Sequence, residues 1–208
     1  MKAKVHLRCF FLILCILCTF GYTIADLAHN GYCEVSDTDT IVIEPDITLN
    51  FGPHEKDFYK MWGELEENTL PLEYSSDIKS SLPGIKRITE PLLSMFKTGY
   101  NYPSIAKLPQ KENIKLFLLE ASDDVGETVV FLGSITDDIK LFMIRTGKDT
   151  EIDGVFGYLR KTYKISSSYE IVVSELFTPD RPSSTSGTTL IKKEKYTINY
   201  IGEFLLIQ

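Results

Sequence analysis

Apolar positions recur with two periods along the 208-residue chain, and the change of period divides it. From about Thr40 to Asn101 a strand pair gives way to helical spacing; from about Asn113 onward the pattern reads as strands throughout. Residues 40–44 and 46–51, on either side of Pro45, read as a strand interrupted or bent at the proline near a sheet edge. After Gly52-Pro53, Phe58, Met61, Trp62 and Leu65 fall at i, i+3, i+4 and i+7, which predicts an amphipathic helix. A second helix is predicted from Thr89 as cap, Glu90 and Pro91 in the first turn, Leu92, Met95 and Phe96 on one face and Gly99 at the end, with Ile85 and Ile88 adding a preceding turn. Pro103 and Pro109 then punctuate a loop.

The second section predicts strands at 114–121, 128–135, 139–146, 155–165, 170–178, 190–200 and 203–207. Their connections are short and polar, at 123–126, 136–138 and 147–154, the spacing of an antiparallel meander. The expected fold is therefore α+β: a curved, mostly antiparallel β-sheet of about seven to nine strands, with two or three helices from the N-terminal half packed on one face.

The N-terminus follows neither period. Lys2, Lys4 and Arg8 precede an uncharged apolar run over 9–25 that ends in Thr23-Ile24-Ala25, the small-residue pattern of an export signal cleaved before Asp26. The alternative is an N-terminal membrane anchor, for which the run is short against the roughly 20 residues usual for a span. The expected organisation is a signal peptide at 1–25, a flexible N-terminal segment at 26–39 and a single α+β domain at 40–208. The whole chain has a net charge of -7 from 22 bases and 29 acids; removing Lys2, Lys4 and Arg8 leaves 19 bases and a net charge of -10. Such a chain is expected to bind no nucleic acid.

Cleavage also removes Cys9, Cys15 and Cys18 and leaves Cys33 alone. A secreted domain without an internal disulfide must be held by its core, which a chain of this size can build by burying roughly 70% of its unfolded surface. Cys33 is the candidate interchain thiol, so the expected states are a monomer or a Cys33-linked dimer. Alanine is scarce while Lys, Ile, Tyr, Phe and Ser abound, a bias that an AT-rich genome imposes, and no Asn-x-Ser/Thr sequon follows residue 25. An exported, sequon-free product of this composition fits a parasite, a virus or a low-GC bacterium.

Chemistry is thin. His29, Asn30 and Cys33 match the residue types of a cysteine nucleophile, but Glu34 would raise the thiol pKa and Asn30-Gly31 is a turn rather than a rigid frame. Asp149-Thr150-Glu151-Ile152-Asp153-Gly154 imitates the start of a calcium loop, yet Arg160 stands where the closing glutamate belongs, so an acidic hairpin loop is expected. His29, Cys33 and His54 are too dispersed for zinc. The acidic pairs Asp123-Asp124 and Asp137-Asp138, and Glu64 with Glu66-Glu67, read as solvated turns or a helix's polar side. No catalytic, cofactor or metal residue is expected.

Aromatic rings are more informative, since nearly every predicted strand carries one or two, from Phe117 and Phe131 to Tyr196 and Phe204. They either close a core with the helices or line a cavity for a lipid-like ligand. The loop 178–187 has no apolar anchor and is either a recognition loop or slack. Its Arg181, Ser183, Ser184 and Thr185, with the basic spot Lys192, Lys193 and Lys195 behind it, are the candidate partner-binding residues; solvation explains the spot as well. The resulting expectation is a secreted, non-enzymatic binding protein acting on an extracellular protein partner, such as a host-interaction factor of a parasite or virus. A carrier of a hydrophobic small ligand is the alternative, and a hydrolase with carboxylate catalysis the third reading.

Overall fold

A computed structural model describes residues 40–73, 82–181 and 187–207. Residues 40–208 form one compact unit. The described residues hold twelve strands: β1 (Ile41–Ile43), β2 (Ile47–Leu49), β3 (Leu72–Glu73), β4 (Lys86–Arg87), β5 (Asn101–Lys107), β6 (Lys115–Ser122), β7 (Thr128–Ile135), β8 (Ile139–Ile152), β9 (Val155–Ile165), β10 (Ile171–Pro179), β11 (Thr189–Ile198) and β12 (Phe204–Leu206). Every strand pairing is antiparallel, and the run from β4 to β12 is a meander in which each strand neighbours the next.

One strand joins two layers. The first half of β8 pairs with β7 (Val130↔Arg145 to Ile135↔Ile139), whereas its second half pairs with β9 (Thr146↔Lys161 to Ile152↔Val155). A bulge between Val130 and Phe131 marks the departure, as an extra residue bends a strand and raises its twist. The middle sheet thus contains β4, β5, β6, β7, the first half of β8 and β2; the outer sheet contains the rest of β8, then β9, β10, β11, β12 and β1, with β3 on β9.

Alternation explains why the middle sheet is apolar on both faces. Phe117, Leu119, Phe131, Ile135, Ile139 and Leu141 face the helical layer, while Leu116, Leu118, Val130, Leu132, Phe142 and Ile144 face Ile165, Ile171, Val173 and Phe204 of the outer sheet. Gly133 leaves the space that the Phe117 ring fills: a Cβ there would lie 2.2 Å from the ring. Polar groups do enter the second core: Ser134 Oγ, 1% exposed, donates to Gly202 O at 2.7 Å, and a charged cluster lies nearby. Glu120, 1% exposed, sits two strands from Arg145 in register, and buried Tyr163 lies in the field of both.

The helix α1 (Glu55–Glu64) forms as the spacing predicts, burying Phe58, Met61 and Trp62, with Leu65 just beyond its end also buried. Glu55 and Asp57 place negative charge in its first turn, where the helix dipole favours it. The other helices of the expectation are absent from the described residues. Over 89–99 there is only a 3₁₀ turn at Leu92–Ser94, where Ser94 Oγ donates to the Pro91 carbonyl (2.7 Å) and Met95 N donates to Leu92 O (2.9 Å) rather than to Pro91 O. Leu92, Met95 and Phe96 are nevertheless buried against α1. The strands also differ from the expectation in three places, each for a physical reason. Pro45 separates two strands belonging to different sheets. Pro103 sits at a bulge between Asn101 and Ser104, so β5 tolerates it where a loop was expected. The polar stretch 147–152, expected to connect strands, continues β8, and the turn shrinks to Asp153 and Gly154 with φ of 51° and 79°, the left-handed pair that suits the twist of a tight hairpin.

Candidate functional site

The outer sheet outgrows the middle one, and its free end brings together residues far apart in sequence. The β8–β9 hairpin ends at Gly154, Val155 and Phe156, and β10 runs beside it so that Asp180 N donates to Phe156 O at 3.0 Å. That bond seats Asp180 and Arg181 against the hairpin tip, around a surface concavity of about 480 Å³ lined also by Gly154, Val155 and Phe156. Phe156 is 65% exposed, and Val155, Leu190 and Ile191 of the same sheet end are exposed as well. The base of the 178–187 loop is closed by a 2.9 Å hydrogen bond between the Thr178 and Thr188 hydroxyls. One aromatic side chain packs along the arm below the tip. Tyr158 lies beside Gly147, where a Cβ would meet its hydroxyl, and carries Arg160 over its ring at 5.6 Å. Partial burial and a hydrogen bond to Glu127 raise the Tyr158 pKa, so the phenol stays neutral and able to donate.

Of the residues singled out from sequence, Arg181 stands at this tip; Ser183, Ser184 and Thr185 lie outside the described residues, as does Cys33. Lys192, Lys193 and Lys195 lie on β11, where alternation divides them between faces: Lys193 and Lys195 share one, opposite Ser174 and Val172, and Lys192 takes the other, opposite Glu175. Their charge is largely matched locally. Lys192 Nζ lies 2.9 Å from Glu194, and Lys195 Nζ 3.9 Å from Glu170. The hydrogen bond from Lys192 and the nearby Glu175 raise the lysine's pKa; Glu194 is lowered even though burial opposes it, because Lys192 and Tyr196 both donate to it.

The acids have local work. Asp123 Oδ1 accepts from Val125 N and Glu127 N and shapes the β6–β7 turn; Glu64 pairs with Lys86 at 2.5 Å, and Glu67 with Lys107 at 3.8 Å. His54 meets Ser94 Oγ at 3.4 Å. Among the described residues no group of three or more His, Cys, Asp or Glu is placed to hold a metal ion. The aromatic rings read from sequence divide between packed clusters and the free sheet end: Phe117 and Phe131 are buried in one core, Phe142 and Phe204 in the other with ring centroids 4.6 Å apart, and Phe156 in neither.

A second concavity, of about 680 Å³, was not legible beforehand. It lies between β4, the Leu92–Ser94 turn and the start of β5, with Arg87, Lys97 and Tyr102 on its walls and Phe96 and Pro103 in its floor. No spacing rule marks such a cleft, because its residues come from a turn and a bulge rather than from one face of a regular element. No family model, curated protein or solved structure matches the chain.

Proposed function

We propose that the chain is a secreted, non-enzymatic binding protein that acts on an extracellular protein partner through the free end of its outer sheet. The observation that carries this reading is Phe156, a large ring left 65% exposed at a rigid two-residue hairpin tip with Arg181 beside it. Burying that ring in a partner gains roughly 1.5–3 kcal/mol from apolar area alone, and an aromatic anchor with an adjacent arginine is the composition of an interface hot spot. The β-hairpin holds the ring in place before binding, so little ordering entropy opposes association. The export pattern of residues 1–25 is what puts the expected partner outside the producing cell.

The carrier reading has less to support it, since rings that would line a ligand cavity between the sheets pack there against one another. The test is a surface-plasmon-resonance panel in which the exported protein is immobilised and soluble ectodomains of cell-surface proteins are passed over it. Saturable binding to at least one ectodomain is expected; silence across the panel, together with lipid retained in native mass spectra, would reverse the order of the two readings.

A further inference from the structure

Arg87 and Lys97 stand on opposite sequence flanks of the 680 Å³ cleft, in a chain whose net charge is -7. Among the described residues neither is ion-paired, in contrast to Lys86, the neighbour of Arg87, which is held by Glu64. The Arg87 guanidinium lies over the Tyr102 ring, 4.9 Å from its centroid. A contact of that kind restrains the guanidinium while leaving its N–H edge to donate to an anion. Tyr102 itself is 63% exposed and held at φ 56°, a left-handed conformation that costs a bulky L-residue roughly 1–2 kcal/mol. The strain is built in by the surroundings: the bulge of β5 forces the backbone over, and Ile88 N donates to Pro103 O at 2.9 Å, locking β4 onto the residue that follows Tyr102. A strained backbone conformation that keeps a ring exposed at the mouth of a cleft is the kind of feature that clusters at ligand sites.

We infer that this cleft binds a small organic anion with a planar apolar body. The anionic head sits between Arg87 and Lys97, and the planar body lies on the Tyr100 and Tyr102 side over the Phe96 floor. The volume suits a drug-sized molecule, for which pockets of roughly 300–1,000 Å³ are usual. Glu90, also on the wall, leaves the three charged side chains at a net charge of +1, so the site selects one negative charge on a ligand and disfavours a cation. This goes beyond the protein-binding reading, because the cleft lies on the β4–β5 end of the middle sheet and shares no residue with the hairpin tip.

The test is a two-dimensional ¹H–¹⁵N NMR titration of the purified chain with naphthalene-2-sulfonate as probe, and with 2-naphthol and inorganic sulfate as the ring-only and anion-only controls. Saturable shifts confined to amides between 87 and 103 are expected from the sulfonate, with each control binding at least tenfold more weakly. Arg87→Gln and Lys97→Gln should each weaken the sulfonate at least fivefold. Arg87→Lys, which keeps the charge but not the planar stack, should retain part of the affinity, and its unchanged spectrum elsewhere guards against a folding defect. Equal binding of 2-naphthol, shifts scattered over the surface, or affinities untouched by both glutamine variants would each overturn the assignment.

Discussion

The two halves of β8 have opposite fates although they are one continuous strand. Its first half lies in the middle sheet with Ile139, Leu141, Phe142 and Ile144 buried; its second half, from Gly147 to Ile152, has no fully buried residue. The difference lies in what covers each face. Helix α1 and the outer sheet enclose the middle sheet from both sides, whereas the β8–β9 hairpin extends beyond either cover. Ladder hydrogen bonds and a few half-buried contacts such as Tyr158 on Gly147 therefore sustain strand structure at the free end, where most side chains are released from core packing.

This contrast is open to direct mutation, and the largest effect belongs to the enclosed sheet. Leu118→Ala removes a wholly buried side chain between the sheets and should cost about 2–5 kcal/mol in urea unfolding. The sharper comparison uses two glycines that both face aromatic rings. At Gly133 the obstructing atoms belong to Phe117, which is fully buried and has nowhere to go, so Gly133→Ala should cost about 3 kcal/mol. At Gly147 the nearest atom is the Tyr158 hydroxyl, the far end of a half-buried side chain, so Gly147→Ala should cost under about 1 kcal/mol once the ring swings aside. Equal losses at the two positions would mean that the hairpin arm is packed as tightly as the core.

A smaller effect of the enclosure appears with pH. Burial pushes the Tyr163 pKa up to about 12, with Arg145 opposing the shift and Glu120 adding to it. A folded-state pKa above the unfolded value of about 10 means that this stabilisation is fully present below pH of about 10 and is lost as pH rises toward the folded value. Between those limits wild type should lose about 2–3 kcal/mol relative to Tyr163→Phe, which cannot ionise; parallel curves for the two proteins in alkaline urea titrations would remove the enclosure argument for this residue. At the exposed end, converting Lys192, Lys193 and Lys195 together to Gln should cost under about 1 kcal/mol, because Lys192 and Lys195 make surface ion pairs and Lys193 is an exposed strand residue. It should also leave the salt dependence of partner binding nearly unchanged, since two of the three charges are matched in place; a clearly shallower dependence would support an anionic partner at the spot.

What sequence conveyed follows the same division. β6 and β7 were legible because strands buried on both faces are continuous apolar runs, and α1 because one amphipathic face repeats at helical spacing. Pattern fails where tertiary pairing overrides it. Lys148, Asp149, Thr150 and Glu151 look like a turn yet are held as strand by β9, and Asn101 to Lys107 holds a proline yet completes a sheet through a bulge. Of the hairpin tip, Arg181 was visible as part of an unanchored loop, but Phe156 was only one more ring on a predicted strand, since nothing in its neighbours says that β9 begins beyond the helical cover. The Arg87–Tyr102 cleft needed the fold, because a cation and a ring fifteen residues apart meet only when β4 pairs with β5.

The proposal that recognition resides at the free end of the outer sheet and stability in the enclosed one is tested most directly by Phe156→Ala and Arg181→Ala in parallel melting and surface-plasmon-resonance measurements. Both variants should melt within about 2 °C of wild type, because neither side chain is packed in a core. Each should bind the ectodomain selected by wild type at least tenfold more weakly, through a faster off-rate. Wild-type affinity in both variants would contradict the claim, as would a melting temperature lowered as far as in Leu118→Ala.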